Sequence, residues 1–218
     1  MTLGDVVTQL KYGELQSLAV KDDNTAITSY VNLALQALYN RFTLKVSEQI
    51  IPLKDNIVEY TLNEDVMTIE GIYDENGDEF ALDDDTNLFS VQQVDFETIQ
   101  VPNPSTGATL SVIYKASPKI LIYTDESSLN NRIPAPPQLL EPLLHYIGYR
   151  AHGSINGDIK AENNTHYMRF IASCNEIEKL GLVRRAIPPA RLTSAEDISE
   201  TRVTYQNQDI NLKRNING

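Results

Sequence analysis

Apolar residues recur along this chain at helical spacing near its start, at alternating spacing through its middle, and at helical spacing again beyond Tyr123. In "TLGDVVTQLKYG", Leu3, Val6, Val7 and Leu10 share one face, with Thr2 placed to cap the helix and Gly13 to stop it. "DDNTAITSYVNLALQALYNRF" predicts a longer helix. Ile27, Val31, Ala34, Leu35, Leu38 and Phe42 form its stripe, and Asp23, Asn24 or Thr25 can cap its start.

The period then drops to two. "VSEQIIPL" and "NIVEYTL" flank Lys54-Asp55-Asn56 and predict a hairpin. Asn76-Gly77 predicts another, between Ile69–Tyr73 and Glu79–Leu82. "FETIQVPN" and "ATLSVIYKA" stand either side of the turn residues in "PNPSTG". The middle, over about residues 46–123, reads as an antiparallel β section of five or six short strands.

In the second helical part, Pro134, Pro136 and Pro137 set the approach of the chain. Proline suits a first helical turn, where its missing N–H has no intrahelical partner to lose. Leu140, Leu143, Leu144, Ile147 and Ala151 line one face, with Gly153 as a candidate stop and "SINGD" as the turn. A further helix is predicted from about Ile159 to Leu182, with Tyr167, Phe170, Ile171, Cys174 and Ile177 on its apolar side. The pattern is that of an α+β protein: a bundle of about four helices with an inserted antiparallel β section, forming a body over residues 1–183.

From Arg184 no period is sustained. Pro188-Pro189 breaks the segment and its end is polar, yet Val203, Tyr205, Ile210, Leu212 and Ile216 recur too regularly for a plain solvated tail. Such a segment stays disordered or orders against a partner. "TRVTYQNQDINL" alternates well enough to add a strand to another chain's sheet edge. Residues 184–218 are therefore read as an extended C-terminal arm, with Arg184, Arg185, Arg191, Arg202, Tyr205, Ile210 and Leu212 as candidate partner-binding residues.

Composition narrows the functional classes. Apolar residues at 41% permit a real core, and with no tryptophan and 7% aromatics that core is mostly aliphatic. A net charge of −12 argues against general binding to nucleic-acid phosphates, which needs clustered Lys and Arg. The charge is uneven: six basic and four acidic residues follow from Arg184, leaving twelve basic against 26 acidic before it. The arm either lies against acidic protein surface or is simply solvated. Without a basic start, and with charges interrupting its apolar residues, the opening does not read as a signal peptide. No uncharged apolar run approaches the ~20 residues that span a bilayer. The expectation is a soluble protein, made in a cytoplasm, with no membrane partner.

Catalytic chemistry is sparse. His145 and His152 are seven residues apart on one helix face, ~10 Å along its axis and too far to share one metal ion. His166 falls on the next helix and can come near one of them, but dispersed histidines without an acidic spacing pattern are more often helix-interface or surface groups. Cys174, the single cysteine, lies on an apolar face and reads as a small buried hydrophobe. No nucleophile elbow, phosphate-binding loop or dinucleotide glycine pattern occurs. "YDENGDEFALDDD" places seven carboxylates between Asp74 and Asp85, but the spacing of a calcium-binding helix–loop–helix is absent, and a solvated acidic loop is the simpler reading. No enzyme activity, cofactor or metal is expected.

The order of elements carries a resemblance. "TSYVNLALQALYNRF", "EYTLNEDVMTIEGIY", "VIYKASPKIL" and "IPAPPQLLEPLLHYIGYRAH" resemble, in pattern and succession, the head-to-tail adaptor (connector, or head-completion) proteins of tailed bacteriophages, especially short-tailed ones. Asn63 stands where the family's first phrase has proline. The resemblance runs from about Leu3 to Leu182 and implies a structural virion protein at the neck, made in a bacterial host. Such proteins assemble as a ring, usually a dodecamer, beneath the portal protein. They extend the channel through which genomic DNA passes without specific binding, and they offer a platform to the tail nozzle or tail tube and sometimes to tail fibres. The arm in the family docks on the portal or on a neighbouring copy. Two other readings stay open: another neck or tail component, such as a tail-tube or fibre-anchoring protein, and a small hydrolase using the Asp74–Asp85 carboxylates or the three histidines.

Overall fold

Thr2 opens the first helix with a reciprocal cap. Its hydroxyl accepts from the Asp5 N–H at 3.2 Å, and the Asp5 carboxylate accepts from the Thr2 N–H at 2.8 Å. The computed structural model of this chain describes residues 1–156 and 165–184. Helix α1 (Leu3–Tyr12) buries Leu3, Val6, Val7 and Leu10, the face its spacing predicts, and Gly13 caps its end. Helix α2 (Asn24–Arg41) starts at Asp23, whose carboxylate accepts from the Ala26 N–H at 2.9 Å. The predicted stripe from Ile27 to Leu38 is fully buried, and Phe42, also fully buried, is the residue that ends the helix.

The β section comprises β1 (Val46–Pro52), β2 (Glu59–Thr61), β3 (Val66–Tyr73), β4 (Gln92–Gln93), β5 (Thr98–Gln100) and β6 (Thr109–Ala116). They form two antiparallel three-stranded sheets, ordered β1-β6-β3 and β2-β5-β4. This corrects the predicted hairpin around Lys54-Asp55-Asn56. The turn exists, with Asn56 at φ 63°, but the strands on either side of it join different sheets. β1 pairs with β6, Val46 opposite Lys115 and Pro52 opposite Thr109, while β2 pairs with β5. β5 and β6, either side of "PNPSTG", likewise part company. Asn76-Gly77 does form the tip of a reversal, with Gly77 at φ 84°, in the left-handed region that a side chain disfavours. Its return segment pairs with β3 through a single bridge, Tyr73 with Glu79.

Beyond β6 the chain folds back onto α2. The Asn32 side chain donates to the Leu121 carbonyl at 2.8 Å and accepts from the Leu121 N–H at 2.9 Å, a two-point clamp on an otherwise irregular segment. Pro137 opens a short 3₁₀ turn, Pro137–Leu139, that leads into α3 (Leu140–Asn156). α3 continues past Gly153, which is buried within it rather than ending it. The last described helix is α4 (Thr165–Lys179); the start predicted near Ile159 lies outside the described residues.

Two apolar clusters result. The helical one gathers Leu10, Leu15, Leu35, Phe42, Leu143, Ile147, Phe170 and others from α1 to α4. The β one gathers Ile51, Ile72, Ile99, Leu110 and Val112 with their neighbours. One polar contact ties the β part to the end of α2, and another braces the start of β1. The buried Lys115 of β6 donates to the Asn40 carbonyl near the end of α2 at 3.2 Å, and burial pulls its pKa down against the attraction of Glu70. Lys45 pairs with Asp65 at 3.0 Å.

Candidate functional site

The three histidines of the helical part converge on Glu14. This residue follows the Gly13 cap in the turn after α1. Its neighbour Leu15 is fully buried in the helical core and returns its N–H to the Leu10 carbonyl at 2.9 Å, which anchors the turn. The Glu14 side chain is 18% exposed and reaches α3 and α4. One carboxylate oxygen lies 3.0 Å from His145 Nδ1, and the other 2.7 Å from His166 Nδ1. The Glu14 backbone carbonyl lies 2.9 Å from His152 Nε2.

His145 and His152 are on one face of α3, as their spacing predicts, and a single residue spans the gap between them. Gly148 lies between the two on that face. A Cβ there would stand 2.9 Å from His166 Nδ1 and 3.3 Å from both Cβ and Oε2 of Glu14, so glycine is what lets the other two segments approach α3. His166 comes from α4 and stacks on His152, ring centres 4.8 Å apart and planes within 16°. Burial lowers the pKa of His166, opposed by the Glu14 carboxylate and reinforced by the neighbouring His152, Arg169 and His145. Glu14, His145 and His166 each offer one donor atom, all within 4.8 Å of one another, a set able to hold a metal ion.

The histidines are thus helix-interface groups, as expected, but they are not dispersed. The acidic partner that sequence spacing could not supply is Glu14, 131 residues from His145. Its only signal was a lone carboxylate between a glycine stop and an apolar Leu15.

Other candidates resolve more simply. The Asp74 carboxylate accepts from the N–H groups of Asn76 and Asp78, each at 2.8 Å, and the Asp78 bond is the largest cause of its lowered pKa. Asp83 accepts from the Gln93 N–H at 2.7 Å, and Asp84 from the Thr86 N–H at 2.9 Å. Much of the acidic run is therefore turn chemistry. Cys174 is fully buried, and burial pushes its thiol up to about 12. Of the predicted partner-binding residues, Arg184 is exposed and its carbonyl accepts from the Thr43 N–H at 3.1 Å. Arg185, Arg191, Arg202, Tyr205, Ile210 and Leu212 lie outside the described residues.

Two surface features stand apart from the histidine cluster. Leu88, Phe89, Val94 and Phe96, in and around β4, are 57–88% exposed. A groove of about 480 Å³ between α2, α3 and α4 is lined by Tyr146, Tyr149, Tyr167 and Phe170 with Arg41 and Arg150 at its polar side. The first is the kind of exposed apolar surface that marks a contact with another protein.

The profile of the SU10 adaptor protein family matches residues 1–193, most of the chain and all of its described part. The chain belongs to the SU10 adaptor protein family. This is a phage head-to-tail adaptor family, so the chain is a bacteriophage adaptor, a structural protein by kind. A search of curated proteins finds no match. Among the adaptor's described residues, no helix is long and apolar enough to cross a membrane.

Proposed function

We propose that this adaptor assembles as a ring beneath the portal at the virion neck, extends the DNA channel, and presents a platform to the tail nozzle or tail tube. Membership of the adaptor family over residues 1–193 carries the reading. Charge supports it: a strongly acidic body repels DNA phosphates, which suits a conduit that must not hold its cargo. The exposed Leu88, Phe89, Val94 and Phe96 support it too, since contact with another chain removes that apolar surface from water. Residues 1–183 form the body in this reading, and residues 184–218 form an arm that orders on the portal or on a neighbouring copy, through Arg184, Arg185, Arg191, Arg202, Tyr205, Ile210 and Leu212. An arm of this kind adds interface without enlarging the core.

The test is the mass of the purified chain by light scattering, alone and after mixing with its portal ring. Joining the portal in about twelve copies is the expected outcome. A folded chain that leaves the portal's mass unchanged overturns the reading and favours another tail component. Truncation after Leu182 is expected to leave the body folded while abolishing incorporation into particles.

A further inference from the structure

We propose that Glu14, His145 and His166 form a binding site for a first-row divalent cation of the zinc class, one ion per chain, which clips the α1–α2 turn to α3 and α4. The donor set is of the right chemistry: two imidazole nitrogens and a carboxylate are common zinc ligands, with bonds of about 2.0–2.2 Å. It is also close to the right size. Donors around one such ion stand roughly 3–3.5 Å apart, so these three, within 4.8 Å of one another in three separate segments, need to close by about an ångström to share it.

Two further observations point to the same place. Gly148 keeps its side of the cluster clear, since any Cβ there would press on His166 Nδ1 and on Glu14. On the far side of the His145 ring, Glu141 Oε1 lies 3.5 Å from Nε2, where a carboxylate can orient a metal-bound imidazole through its other nitrogen. Among the described residues, the carboxylates of Glu14 and Glu141 face His145, and Arg169 is the guanidinium that acts on His166. His152 supplies no ligand in this arrangement. It holds the Glu14 carbonyl and stacks on His166, and so positions both.

The experiment uses the tag-free full-length chain, stripped with a chelator and titrated first with Co²⁺ and then with Zn²⁺. Saturation at one equivalent is expected, with the visible absorption of Co²⁺ on imidazole nitrogen, its displacement by Zn²⁺, and a raised melting temperature. Glu14→Gln and His166→Gln are each expected to weaken binding about tenfold or more with an unchanged circular dichroism spectrum, whereas Lys21→Gln in the same half of the body leaves it unchanged. Absence of stoichiometric binding to the unmodified chain overturns the site whatever the variants do. Binding that survives Glu14→Gln and His166→Gln together also overturns it, and moves the ion elsewhere, for example to the Asp74–Asp85 carboxylates.

Discussion

The helical part and the β section of this adaptor are built from the same kinds of apolar residue but by different rules. Among the described residues the helical core holds twenty buried side chains and the β core ten. Each helix brings its own contiguous stripe, so α1, α2 and α3 present ready-made faces that only need to meet. The β core has no such local unit. Its central strand β6 takes one partner, β1, from far upstream and another, β3, through a register broken between Val66 and Thr68 and again between Ile69 and Gly71. Local spacing therefore organises one half of the molecule and long-range pairing the other. Lys115 of β6 links the smaller part to the larger through the Asn40 carbonyl near the end of α2.

That contrast is sharpest where the cores are cut. Phe42→Ala removes a fully buried ring from the helical core and is expected to cost about 3–5 kcal/mol, read from urea unfolding. A loss below about 1 kcal/mol would mean that the helical part does not dominate stability. Leu110→Ala empties the β core beside Val112 and Ile99 and is expected to cost about 2–4 kcal/mol. Hydrogen exchange should then show β6 amides losing protection while α2 amides keep theirs; equal loss in both would show one cooperative unit instead of two regions.

Smaller changes test the contacts that join segments. Gly148→Ala gains helix propensity worth about 1 kcal/mol but drives a methyl into His166 and Glu14, for a net loss of about 1–2 kcal/mol. The histidine ring resonances of His145 and His166 should shift in the same variant, and a stabilised protein with unmoved rings would contradict the close approach. Asp65→Asn, between β2 and β3, is the mildest. Burial tends to raise the Asp65 pKa, but hydrogen bonds from Lys45 and Tyr114 and the charge of Lys45 outweigh it and leave the pKa lowered. A depressed carboxylate pKa contributes stability that is present above the unfolded value of about 3.9 and is lost as pH falls through the folded value. The pair is substantially exposed and screened, so the expected difference at pH 7 is below about 1 kcal/mol, shrinking to nothing in strong acid. A difference that persists unchanged at low pH would assign the effect to something other than charge.

Apart from the end of α3, which runs past Gly153, the helices, caps and core faces were legible in the sequence because each depends on residues within a turn or two of one another. Thr2, Asp23 and Pro137 sit where their side chains predict, and the stripe from Ile27 to Leu38 is buried as its spacing requires. Cys174 is the inert hydrophobe that its place on an apolar face suggests. Strand partners were not legible. Alternation tells which face of a strand is apolar, but any two alternating segments satisfy it equally, so "VSEQIIPL" and "NIVEYTL" looked like a hairpin and instead entered separate sheets. The same limit governed the histidine cluster. Spacing placed His145 and His152 on one face of α3, whereas the residue that joins them to His166 is Glu14, delivered by the anchoring of Leu15 and admitted by the missing side chain of Gly148. Periodicity is a property of neighbours along a chain, and so the sequence by itself determined the elements and the faces they bury. Convergence belongs to segments far apart in the chain that packing forces together, and only the tertiary structure decided which of them meet.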